Sequence, residues 1–205
     1  MMSRIAVLTL LAIAASTTMP CAAADPRYPD WPCAQAKVPD ISLAAVWAGP
    51  PLGDAEAKWK DDEKISALVE KAAARRTPLD EAQKAITDYL AAPGTDKVAA
   101  GKLLFAGLFE RLNAERSSVM SGLERVTRKQ REAADKIRGD TVALQALQDA
   151  TPPDQPKIDA LGNQLVWETR IFEDRRRVVK FVCDVPTTLD QRLFALGRTI
   201  QQEIE

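Results

Sequence analysis

The chain has 205 residues and no histidine, and 28 basic residues stand against 29 acidic ones for a net charge of −1. Without histidine, Ser-His-Asp and Cys-His catalysis and histidine-ligated metal centres are excluded. The near-neutral balance gives no global attraction to nucleic acid. Aromatic residues make up only 5%, and from residue 55 onward Ala, Leu, Glu, Lys, Arg and Gln dominate, a helix-forming composition.

Residues 1–24 read as a signal peptide. Arg4 supplies a positive start, Ile5 to Ala15 an apolar run, and Ala22-Ala23-Ala24 a small-residue cleavage site before Asp25. The run is too short to span a membrane. Cys21 raises a lipoprotein alternative, but Thr18-Met19-Pro20 before it makes a poor lipidation motif. Cleavage after Ala24 leaves two cysteines, Cys33 and Cys183, and an even count in an exported chain predicts a disulfide. Closing a loop of about 150 residues is nominally worth ~4–5 kcal/mol.

Residues 25–54 hold six prolines together with Tyr28, Trp31 and Trp47. So many prolines predict an extended strap, and the tryptophans predict that it lies on the helices. A short helix at 42–48 capped by Ser42 fits inside it. A helix is predicted over 55–75, with an apolar face of Trp59, Ile65, Leu68, Val69 and Ala72. The next, over 78–91, has Thr77 as cap and Pro78 at its first position, and it ends at Pro93-Gly94.

From Asp96 to Asp149 the pattern is one long helix, despite glycines at 101, 107, 122 and 139. Each glycine costs about 1 kcal/mol relative to alanine, so a kink or a close helix contact is expected at one or more. The segment 151–156 is a proline-rich turn. Helices over 156–183 and 187–204 follow, the latter recapped by Thr187 or Thr188 after Pro186. Apolar residues recur at steps of three and four in both directions, and opposite positions share an index sum of 305. Leu147 pairs with Ile158, Leu144 with Leu161, Leu123 with Val182 and Phe105 with Ile200. The expected fold is all-α: a helical bundle with a long antiparallel coiled-coil-like hairpin and an extended strap. The two shorter helices are expected against the hairpin's base, leaving an arm of about 40 Å.

Four candidate sites emerge. A polar seam places Gln130 opposite Arg175, with Glu168 a turn above, either fixing the register or leaning out to water. A basic belt brings Arg125, Arg128, Lys129 and Arg131 beside Arg175, Arg176, Arg177 and Lys180. The segments 124–138 and 168–180 together carry about +5 in a chain that is otherwise acidic. That asymmetry suits an anionic partner, or else a solvated face laced by pairs such as Glu124–Arg128. The acidic run Asp61-Asp62-Glu63 lacks the alternation of a calcium loop and suits an early helical turn. The strap's Trp and Pro surface either receives a peptide or covers the core.

No phosphate loop, dinucleotide fingerprint or haem-attachment motif is present. The favoured expectation is an exported, periplasmic or secreted, non-catalytic interaction protein: an adaptor, chaperone-like factor or accessory subunit of a cell-envelope assembly. Its expected partner is an envelope or periplasmic protein or a second copy, with no nucleic acid, integral membrane span, metal or cofactor. The alternatives are a small-ligand or anion binder and, behind it, an enzyme built on carboxylates.

Overall fold

The structure is a computed structural model that describes residues 25–205, so the predicted signal peptide and Cys21 lie outside the described residues. Seven α-helices follow one another: α1 Leu43–Val46, α2 Ala55–Lys58, α3 Glu63–Ala73, α4 Leu79–Leu90, α5 Lys97–Asp149, α6 Gln155–Val182 and α7 Val185–Ile204. A 3-10 turn, Trp59–Asp61, lies between α2 and α3. The all-α class and the long hairpin are as expected, and no helix among the described residues is long and apolar enough to cross a membrane.

The helix ends show where local chemistry differs from the expectation. The single helix expected over 55–75 is broken at Asp62, whose extended backbone stops one helix and whose carboxylate accepts from the Lys64 and Ile65 amides to start the next. An aspartate ahead of Glu63 is a strong N-cap, and it spends the acidic run on structure. Thr77 does not cap α4: Pro78 holds that position, and Thr77 is buried with its carbonyl accepting from Arg192. Ser42 precedes α1 without a side-chain cap. Neither Thr187 nor Thr188 caps α7, which begins at Val185; the Thr188 hydroxyl donates to the Asp184 carbonyl instead. Cys183 and Asp184 keep right-handed helical backbone angles, so α6 and α7 are separated by only two residues and Pro186 sits in a first turn that tolerates it.

The core lies entirely at the base of the hairpin. Leu104, Phe105, Leu108 and Leu112 of α5 meet Leu189, Leu193, Leu196 and Ile200 of α7, and Ile65, Val69, Ile86 and Leu90 of α3 and α4 close over them. Each such side chain removed from water stabilises the fold by about 1.5–3 kcal/mol. Gly107 makes room for this packing, since a Cβ there would sit 2.8 Å from both the Trp59 ring and Val69. Beyond Leu123 nothing on α5 is buried, and α6 has no buried residue at all. The outer part of the hairpin is therefore a two-helix arm whose seam side chains are half-buried at best.

The strap is laid over the base and the root of this arm. Trp47 stacks on Phe105 with ring centroids 4.2 Å apart and donates its indole N–H to the Pro50 carbonyl. Trp31 donates to the Gln35 carbonyl, so it holds a turn within the strap. Cys33 is bonded to Cys183, with Cα atoms 5.5 Å apart, inside the normal span of a disulfide.

Candidate functional site

The root of the arm gathers most of the residues singled out from sequence, and it sorts them onto two sides of the seam. On one side lies the strap. Lys37 pairs with Glu124 at 2.5 Å, and its ammonium also sits 4.6 Å from the Tyr28 ring centroid. Arg116, buried one helical stretch below, donates to the Val38 and Pro39 carbonyls. Its Nε lies 2.7 Å from Asp190 Oδ1, out of line for a hydrogen bond, so this contact is one of charge alone. Burial pushes the Asp190 carboxyl up from its ordinary value against the pull of Arg116. Arg192 is likewise buried, donating to the carbonyls of Ala72 and Thr77, and burial lowers it. These two arginines are structural staples for carbonyls of the strap and of the end of α3 and its following loop, which would otherwise be left unpaired.

The basic belt does not form one surface. Arg128 and Arg131 both turn to the strap and bond the carboxylate of Asp30, with Arg128 at 2.7 Å, and Arg131 also reaches the Pro29 carbonyl. Their hydrogen bonds hold the Asp30 carboxyl below its ordinary value. Arg176 and Arg177 pair along α6 with Glu173 and Asp174. The expected Glu124–Arg128 pair does not form, because Glu124 is taken by Lys37. Arg125, Lys129 and Arg175 make no ion pair among the described residues, and all three lie on the other side of the seam. Lys180 and Arg176 instead border a smaller hollow beside Pro32.

The polar seam also differs from its expectation. Gln130 does not meet Arg175; its amide donates to the Phe172 carbonyl across the seam at 3.0 Å, and its own oxygen is buried without a partner. A backbone acceptor is available because Phe172 sits one turn from the position opposite. Glu168 does not reach Gln130 either. It receives Lys136 at 2.7 Å and Gln164 at 2.9 Å, while Lys136 also bonds Asp140 at 2.6 Å. This cluster links α5 to α6 and holds Lys136 above its ordinary value, first through Asp140 and then through Glu168. Sequence reasoning missed Lys136 and Gln164, although each lies four residues from an acidic seam position on its own helix.

Across the seam from the strap, α5 and α6 frame an open groove of about 600 Å³. Val119, Leu123 and Val126 form one wall, and Val178, Val179 and Val182 the other. Gly122 leaves the α5 wall low: a Cβ there would meet only an Arg125 guanidinium nitrogen, 3.8 Å away. Arg125, Lys129 and Arg175 line the rim, and the acid that lines it, Asp174, is bonded to Arg177. Val126 and Val178 are exposed, and Phe181, one turn on from Val178, is 78% exposed. Apolar walls with a cationic rim can hold an apolar body that carries negative charge at its edges.

Comparison with protein-family models, with curated proteins and with solved structures returned no match. The candidate site therefore stands on this chain's own geometry. The described residues contain no group of three or more potential Cys, Asp or Glu metal ligands.

Proposed function

We propose that the chain is an exported, non-catalytic interaction protein, an adaptor or accessory subunit of a cell-envelope assembly whose arm docks a protein partner. The observation that carries this reading is the arm itself. The 28 residues of α6 and the outer half of α5 contain no fully buried residue, yet the pair projects ~40 Å beyond a well-packed base. Extending such a structure into solvent contributes little to stability, and its surfaces are what it offers to others. A disulfide between Cys33 and Cys183 and the predicted leader support an oxidising, exported location such as the periplasm.

Photo-crosslinking in the native envelope, from probes at Arg125 and Arg176, tests the reading. Specific capture of one envelope protein from arm positions, absent from a probe at Arg76 on the base, is the expected outcome. No specific adduct from any arm position refutes it. The ligand-binding alternative has one observation in its favour, the volume of the groove, which falls in the range of small-molecule sites.

A further inference from the structure

We infer that the groove opposite the strap receives an amphipathic helix with acidic flanks, contributed by the partner protein. The inference rests on the interaction reading above and names the surface and the chemistry that recognises it.

Two antiparallel helices leave a trough on each side of their seam. On one side the strap lies over it, leaving only the smaller hollow beside Pro32, and there the contacts are with a segment of this chain whose Asp30 bonds Arg128 and Arg131. On the other side the trough is open and apolar, from Val119 to Lys129 on α5 and from Asp174 to Val182 on α6. That stretch is about 15 Å long at 1.5 Å per residue, the length of nearly three helical turns. A third helix placed there completes a three-helix cross-section, using apolar anchors at i, i+3, i+4 and i+7. The low wall at Gly122 admits a large anchor side chain.

Charge selects among the occupants. Arg125 and Lys129 stand on one rim and Arg175 on the other, without acidic partners of their own. A helix with Glu or Asp on both flanks satisfies both rims at once. A second copy meeting this face symmetrically would set the same three cations against themselves, which opposes self-association here. A single-chain lipid or other small amphiphile is less suited, because the trough is open along its outer side and would leave much of such a ligand in water.

The test uses the full mature chain and a fluorescein-labelled 18-residue peptide, with leucines at i, i+3, i+4 and i+7 and glutamates on both flanks. A sister peptide carries lysines in place of the glutamates. Fluorescence anisotropy should show saturable, salt-sensitive binding of the glutamate peptide and at least tenfold weaker binding of the lysine peptide. Val178→Asp, at an exposed site that leaves the fold intact by circular dichroism, should weaken the glutamate peptide at least tenfold. The double variant Arg125→Glu/Arg175→Glu should reverse the preference between the two peptides, while Arg138→Glu farther along the arm leaves it unchanged. Equal binding of both peptides, or binding indifferent to Val178→Asp, overturns the inference. So does uptake of palmitate or phosphatidylglycerol vesicles at the groove without peptide binding. Retained envelope crosslinking from Arg176 in the Val178→Asp variant refutes the groove alone and leaves the interaction reading standing.

Discussion

Single residues decide how the base is packed and how the strap is fastened. Gly107 and Gly139 lie in the same helix, so an alanine gains the same intrinsic helix propensity at either, about 1 kcal/mol. At Gly107 the added methyl meets Trp59 and Val69 at 2.8 Å, whereas at Gly139 nothing lies within 4 Å. Gly107→Ala is therefore expected to destabilise by ~1–3 kcal/mol through overpacking, and Gly139→Ala to stabilise by up to ~1 kcal/mol, as read from denaturant midpoints. Asp30 makes a second prediction at this scale. Its folded value is depressed by Arg128 and Arg131, so its contribution is present above the unfolded value near pH ~4 and is lost as pH falls through the lower folded value. Glu110, held down first by Lys60 and then by Trp59, behaves in the same direction. Amide-exchange protection factors around residues 27–31, taken against the intrinsic rate at each pH, should fall below about pH 4, before the base unfolds. Asp30→Asn should produce the same loosening at neutral pH.

Helices differ in what holds them, and that difference orders their stability. Leu108 is fully buried at the base, while Leu161 is half-buried in the arm seam. Leu108→Ala is expected to cost ~3–5 kcal/mol of global stability, and Leu161→Ala about 1 kcal/mol, felt as fraying of the arm. Amide-exchange protection should fall steadily from residue 123 toward the turn at 151–156. The hairpin was legible in the sequence because paired heptads constrain two distant segments at once. The contacts Lys136–Glu168 and Gln164–Asp140, each at an index sum of 304, keep that register to within a residue. The break before α3 carried a readable signal, an aspartate cap at Asp62, which the apolar face running from Trp59 to Ala72 concealed. The belt and the polar seam were less legible, since their outcome depends on competitors from elsewhere in the chain. Asp30 draws two arginines away, Lys37 takes Glu124, and a main-chain carbonyl takes Gln130. The groove was not legible at all, because it follows from where the strap does not lie and from a small residue, Gly122, that reads first as a helix defect.

At the scale of the whole molecule the chain is a compact base with a long projection. A globular chain of similar length has a radius of gyration near ~16 Å. With α5 alone running about 80 Å over its 53 residues, small-angle scattering should give a value above ~20 Å and a distance distribution with a long tail. A value near the globular figure would mean that the arm folds back. The core sits at one end of this shape, the disulfide and the proposed docking groove lie together at the root of the arm, and the outer arm beyond residue 129 carries none of the three. The seam has its own modular arithmetic. Residues 134–140 face 165–171 under the sum of 305, and excising both segments together removes one matched heptad from each helix while preserving every remaining pairing. Each such excision shortens the projection by about 10 Å and leaves the base and the groove where they are. The arm is in this sense a ruler with seven-residue graduations, and its length is a variable that can be set separately from the proposed docking groove.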